Sequence, residues 1–226
     1  MRNQASNRLS RRQALGASFG AMGTAALMAQ PAEAQRPRRS SLKGKKVLVC
    51  VGEFSEGMET YYMVFRLMEE GITPVVAAKD VKLLQMVVHD FDPCFSNYIE
   101  MEGYKIQIDV AYSDVKSADY DGLVIPGGRG PEEIRQYPEV LDVVGYFMDK
   151  NLPLGAMCHG PQVLWSARGV KGRKMTCYYG IRADLELAGA KFIDEASVTD
   201  DMMVTSRGWP DLPAFMPQFL DVLAKT

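Results

Sequence analysis

Cys158 stands where an apolar strand pattern runs straight into a turn, in the string Leu154-Gly155-Ala156-Met157-Cys158-His159-Gly160-Pro161. A nucleophile on a strand-to-helix elbow needs small residues two before and two after it, because the turn leaves no room for larger side chains. Ala156 and Gly160 meet that requirement. Pro161 falls in the first turn of the helix that follows, where proline costs least. That helix start is expected to aim amides at the sulfur and favour its thiolate. A buried structural cysteine is the commoner fate of a lone thiol, but the elbow spacing argues for a nucleophile. His159 is its neighbour and, with His89, one of only two histidines in the chain. Any histidine-assisted step therefore falls to one of these two. Adjacent side chains on a turn usually point apart, so base duty for His159 stands beside a role in positioning substrate or water, and His89 reads as structural.

Other groups could serve such a thiol. The string Pro126-Gly127-Gly128-Arg129-Gly130-Pro131-Glu132 follows a short apolar run. Its double glycine lets backbone come close with N–H groups exposed, which suits a developing negative charge. It is not a phosphate loop, because no Lys-Ser or Lys-Thr follows. Glu59 lies in the first turn of an expected helix, where a carboxylate favours the helix dipole. Glu56 reads as a cap or loop charge that could also line the pocket, and Tyr178, Tyr179 and Trp209 are aromatic pocket or packing candidates. Two histidines are too few for a His-rich metal site, and the motifs for nucleotide binding and hydride transfer are missing. The expectation is an enzyme with no cofactor and no metal.

The elements that must hold these groups alternate. Strands are expected at 45–51, 72–78, 122–125, 153–157 and 202–205, and helices at 58–70, 138–150, 160–167 and 212–224. In the first helix, Met58, Tyr61, Tyr62, Phe65 and Met68 fall near one face. Short apolar strands alternating with helices predict an α/β fold, a mostly parallel sheet covered on both faces. Ligands then bind beyond the carboxyl ends of the strands. Residues 79–103, with His89, Cys94 and several aromatics, fit the alternation poorly and read as an inserted loop or helical excursion that could shape the site.

Three motifs in order, ETYY (59–62), PGGRGPE (126–132) and AMCHGPQ (156–162), make the chain resemble the PfpI branch of the ThiJ/PfpI superfamily. The likeness runs from about Lys45 to the C-terminus, interrupted by 79–103. Gly172-Arg173-Lys174, the run 180–190 and Thr205-Ser206-Arg207 also fit it. The resemblance implies a flavodoxin-like sandwich of the class I glutamine amidotransferase kind. It implies that Cys158 is the nucleophile, that Glu59 is the carboxyl against it, and that the amides of Gly128 and His159 form an oxyanion hole. It pairs Cys158 with His159, backed by Glu132 of a neighbouring subunit, and so implies a homodimer or higher homo-oligomer. A carboxyl buried at Glu59 could stay protonated and donate to the thiolate without repelling it. Met63, where the family usually has proline, and the Gly208-Trp209 pair depart from the pattern.

Composition bounds the rest. Residues 1–34 read as an export signal, with Arg2, Arg8, Arg11 and Arg12, a mildly apolar stretch from Ala14 to Ala29, and Ala32-Glu33-Ala34 as a cleavage site. Ser10-Arg11-Arg12-Gln13-Ala14-Leu15 resembles a twin-arginine signal, which implies the export machinery as a partner and a periplasmic destination. The apolar run is too short and glycine-rich for a membrane anchor. A flexible leader is expected over 35–44 and one domain over 45–226. Without residues 1–34, 22 Lys+Arg face 27 Asp+Glu, a net charge of −5 that gives nucleic-acid binding no support. Four cysteines are too few for a disulfide scaffold, although an oxidising compartment would permit one bridge.

Three functions compete on these residues. The resemblance implies glyoxalase or deglycase chemistry on small reactive carbonyls, through a Cys158 thiohemiacetal. A cysteine peptidase with Cys158, His159 and Glu132 completed across subunits is the second. The third is a redox-sensing stress protein in which Cys158 oxidises without turnover. A small, enclosed pocket would favour the first.

Overall fold

The computed structural model describes residues 41–92 and 94–226. The expected export signal and residues 35–40 of the expected leader lie outside them. The leader's end is not loose: Leu42 is fully buried in the core, so the folded unit begins before Lys45.

The elements in chain order are β1 (Lys46–Cys50), α1 (Gly57–Glu69), β2 (Thr73–Ala78), β3 (Leu83–Asp90), β4 (Ile99–Gln107), β5 (Val110–Ala111) and β6 (Gly122–Ile125). Then come α2 (Gly130–Ile134), α3 (Pro138–Asp149), β7 (Leu154–Met157), α4 (Pro161–Ala167), β8 (Lys174–Met175) and α5 (Arg182–Leu187). The chain closes with β9 (Lys191–Phe192), β10 (Ser197–Asp200), β11 (Met203–Ser206) and α6 (Leu212–Leu223). Seven strands form one sheet in the order β10-β11-β7-β6-β1-β2-β5. Every pairing in it is parallel except β10 with β11. This is the mostly parallel sheet covered on both faces that the alternation predicts, in the flavodoxin-like form that the resemblance implies.

The central strands are apolar throughout because both of their faces are covered. On one face, Val47, Val49 and Val124 pack against Met63 and Leu67 of α1 and Phe215, Phe219 and Leu220 of α6. On the other, Leu48, Leu123 and Leu154 meet Val143 and Phe147 of α3 and Leu164 of α4. Gly155 lets α6 approach β7, since a Cβ there would lie 2.8 Å from the Phe215 ring.

Two expectations are corrected. In α1 the buried residues are Gly57, Glu59, Thr60, Met63 and Leu67, while Met58, Phe65 and Met68 are more than half exposed. Apolar periodicity selects the wrong face because the inward face carries polar groups for the site. Much of 79–103 is strand rather than loop or helix: β3 and β4 form an antiparallel hairpin from Leu83↔Gln107 to Asp90↔Ile99. A register shift between Gln85 and Val87 breaks the period-two alternation that would have revealed β3.

The carboxyl ends of β1, β6, β7 and β11 open onto the same edge of the sheet. Truncating Phe147, fully buried beneath that arrangement, tests the packing. Phe147→Ala is expected to lower stability by about 3–5 kcal/mol in urea unfolding; a loss under about 1 kcal/mol would contradict the packing described.

Candidate active site

The chain reverses between β7 and α4 through Cys158, whose φ of 58° is left-handed and unusual for a residue with a Cβ. Neighbouring strands hold it there. Its N–H donates to the Ser206 carbonyl at 3.0 Å, and its carbonyl accepts from the Tyr178 N–H at 3.0 Å. A Cβ on Gly160 would lie 2.5 Å from the Ile125 carbonyl oxygen, so the elbow tolerates only glycine there. Cys158 is 5 % exposed.

Glu59 is fully buried against it. One carboxyl oxygen, Oε2, accepts from the Gly127 N–H at 2.5 Å; the other, Oε1, is buried, and the carboxyl also meets the Cys158 thiol and the Trp209 backbone N–H. The packing leaves no slack at Gly127. A Cβ there would stand 2.4 Å from Cys158 Cβ, 2.7 Å from its Sγ and 2.9 Å from Glu59 Oε2. Glu56, also buried, is the N-cap of α1: its Oε2 accepts from the Glu59 N–H at 2.7 Å. Its Oε1 receives the His89 N–H at 3.5 Å. Gly128 is left-handed at φ 75°, and a Cβ on it would lie 2.4 Å from the Glu56 amide nitrogen.

These placements set the proton positions. Burial first, then the Glu56 charge, pushes the Glu59 carboxyl up to about 8. Burial also raises Glu56. Burial and the Glu59 carboxylate push the Cys158 thiol up, while the amides of Gly128 and His159 pull it down. The expectation that the helix start favours the thiolate and lowers the thiol is thus corrected: desolvation dominates, and α4 begins with Pro161, which has no N–H. The thiolate's support comes instead from two loop amides and from Glu59 when that carboxyl is protonated and donating.

His159 does not point away from Cys158. Its Nδ1 lies 3.3 Å from the sulfur. Burial, then the nearby His89 charge, lowers it to about 4, so it is neutral near pH 7. The Tyr178 ring packs beside His159 with centroids 5.0 Å apart. Trp209 stands further out, its indole N–H donating to the His89 carbonyl at 2.9 Å. Glu132 lies exposed in the first turn of α2, and within one chain no hydrogen bond joins it to Cys158 or His159. Among the described residues no cluster of His, Cys, Asp or Glu could hold a metal ion, and the four cysteines are free.

The site also uses Tyr98 and Asn97, for which the sequence carries no motif, together with His89, which reads from sequence as structural. The β3–β4 hairpin brings Tyr98, Asn97 and His89 over Cys158 and His159. Aromatics crowded into the inserted segment were the available signal; their target was not.

An α/β sandwich with a left-handed cysteine elbow at the carboxyl edge of its sheet and a buried carboxyl beside the sulfur is the arrangement that the three sequence motifs imply. The DJ-1/PfpI family model matches residues 45–222, and the chain belongs to that family. It is 38 % identical over 180 residues to an uncharacterized protein of Archaeoglobus fulgidus, covering 80 % of this chain and 99 % of that one. It is 33 % identical over 178 residues to "Deglycase PfpI" of Pyrococcus furiosus, covering 79 % and 99 %. Among solved structures, a two-domain protein of Anabaena variabilis with DJ-1/ThiJ/PfpI-like and ferritin-like domains superposes with TM-score 0.69 at 28 % identity. That match covers 78 % of this chain and 47 % of the Anabaena chain.

A carboxyl raised in the fold but ordinary in the unfolded chain contributes stability below the unfolded value, and that stability is lost as pH rises toward the folded value. From about pH 4.5 to pH 8 the wild type is therefore penalised at Glu59. Glu59→Gln removes the penalty, so its melting temperature is expected to exceed the wild type's at pH 8, with the gap closing toward pH 4.5. A gap independent of pH would contradict a raised Glu59.

Proposed function

We propose that the protein is a cofactor-free cysteine enzyme that converts small 2-oxoaldehydes to hydroxy acids, the glyoxalase or deglycase type of chemistry. One observation carries the reading: a thiol and a high-pKa carboxyl are buried together under a roof that leaves Cys158 and His159 each 5 % exposed. Such an enclosure suits a small carbonyl better than a polypeptide. The Pyrococcus relative's name supports the same class.

The residues present account for each step. Cys158 is the attacking group as thiolate, with its proton held on Glu59. The sulfur adds to the aldehyde carbon, a C–S bond forms, and the carbonyl electron pair moves to oxygen. The Gly128 and His159 amides, which face the sulfur in the resting site, then face that oxyanion. Glu59 protonates it to the thiohemiacetal and becomes a carboxylate. A base removes the former aldehyde hydrogen as a proton. The electron pair left behind forms an enediolate whose oxygen on the former ketone carbon takes a proton. The base then returns its proton to that carbon, while the thiohemiacetal hydroxyl loses its own and becomes the thioester carbonyl. Glu59 carboxylate and neutral His159 Nδ1 both border the sulfur and could serve. The product is a thioester of Cys158 and a 2-hydroxy acid. Water cleaves the C–S bond, releasing the acid and restoring the thiol with its proton shared with Glu59. The sum is aldehyde plus water to hydroxy acid, with no external oxidant or reductant.

Purified protein given methylglyoxal is expected to form lactate over many turnovers, and Cys158→Ser to form none above background. No lactate from the folded wild type would contradict the proposal.

A further inference from the structure

The hairpin places over the nucleophile a set of rings that the chemistry above does not use. Tyr98, just before β4, stacks on His89 with centroids 4.0 Å apart and planes at 20°. Its ring stands edge-on to His159 at 6.2 Å and at 65° to Tyr178 at 5.4 Å. The adjacent Asn97 accepts a hydrogen bond from the Tyr178 hydroxyl at 2.5 Å, tying the hairpin to the segment that follows the elbow.

The ring is braced from behind. His89 is buried, with Nε2 2.9 Å from Glu100. Glu100 in turn takes the Arg129 guanidinium at 2.8 and 3.0 Å, and the Arg129 guanidinium lies over the Phe54 ring at 4.4 Å. The Trp209 indole anchors the His89 backbone from the opposite side. Displacing Tyr98 would disrupt the His89 stack and the edge contacts with His159 and Tyr178. The Tyr98 hydroxyl is pushed up to about 12, by burial first and then by the charge on Cys158, so it stays neutral. The roof is therefore rigid, aromatic and uncharged at the surface it turns to the thiol.

We infer that Tyr98, braced by His89 and flanked by the Asn97–Tyr178 hydrogen bond, is the specificity-determining residue of this site: it admits a carbonyl with a methyl-sized substituent and excludes an aryl-sized one. The inference rests on the carbonyl reading of Cys158 for its substrate class, and on the packing alone for its size limit.

Two measurements separate these. The first is kcat/KM for methylglyoxal and phenylglyoxal in wild type, Tyr98→Phe and Tyr98→Ala. The Ala variant is expected to raise the phenylglyoxal-to-methylglyoxal ratio about tenfold or more, and the Phe variant, which keeps the ring, to leave it within about twofold. The second needs no turnover: alkylation rates of Cys158 by iodoacetamide and by an N-naphthyl iodoacetamide, read by peptide mass so that the exposed Cys94 is scored apart. Tyr98→Ala is expected to speed the bulky reagent selectively. If neither aldehyde is consumed by wild type but this alkylation ratio rises, the functional reading falls and the size limit stands. An alkylation ratio that does not move in a Tyr98→Ala protein with a wild-type melting temperature overturns the inference, as does a wild type that turns over both aldehydes equally well.

Discussion

The burial of the Glu59 carboxyl against the Cys158 sulfur is the constraint to which the rest of the site answers. A carboxylate and a thiolate cannot both be charged at that separation away from water. At least one proton must therefore stay with the pair, and the charge of each group depends on that of the other. The Gly127–Gly128 loop follows from the same constraint. Gly127 donates to Glu59 and has no side chain because the sulfur and carboxyl occupy the space a Cβ would need. Gly128 takes a left-handed conformation that turns its N–H toward the sulfur. Glu56 fixes the start of α1, and with it the position of Glu59, through its capping bond.

The elbow stores strain that the sheet must hold. A non-glycine residue in the left-handed region costs on the order of 1–3 kcal/mol. Cys158 is kept there by its bonds to Ser206 and Tyr178, one at the end of β11 and one on the loop after β8. Parallel strands end together at one edge of the sheet, so four loops converge on one point. Each supplies a different part: Glu56 after β1, the glycines after β6, the thiol after β7, and Gly208 and Trp209 after β11. The hairpin adds the roof, and the elements that build the fold thereby also close the site.

How far the sequence discloses this depends on where each signal is written. Strands β1, β2, β6, β7 and β11 are short apolar runs because both of their faces are covered, so they are legible along with α1, α3, α4 and α6; α2 and α5, of five and six residues, are too short to show a period. Strands β5, β8 and β9 are two residues long and carry no periodicity of their own. In α1 the inward face holds Glu59 and Thr60, so the hydrophobic pattern points outward to Met58, Phe65 and Met68. Cys158, His159, Glu59 and Gly128 are legible from elbow spacing and motif order, and they do converge. The direction of the thiol's shift is not legible, because it depends on burial and on the approach of Glu59. Tyr98 is not legible either, since its role arises from a hairpin whose register shift hides β3.

The shared proton is open to direct observation. Infrared difference spectra of the wild type minus Glu59→Gln, recorded across pH 5 to 10, isolate the carboxyl of Glu59. A protonated-acid stretch that persists at pH 7, fades near pH 8 and changes frequency in Cys158→Ser is the result expected of a carboxyl that holds a proton beside the sulfur. A carboxylate signature already complete at pH 6 would contradict it.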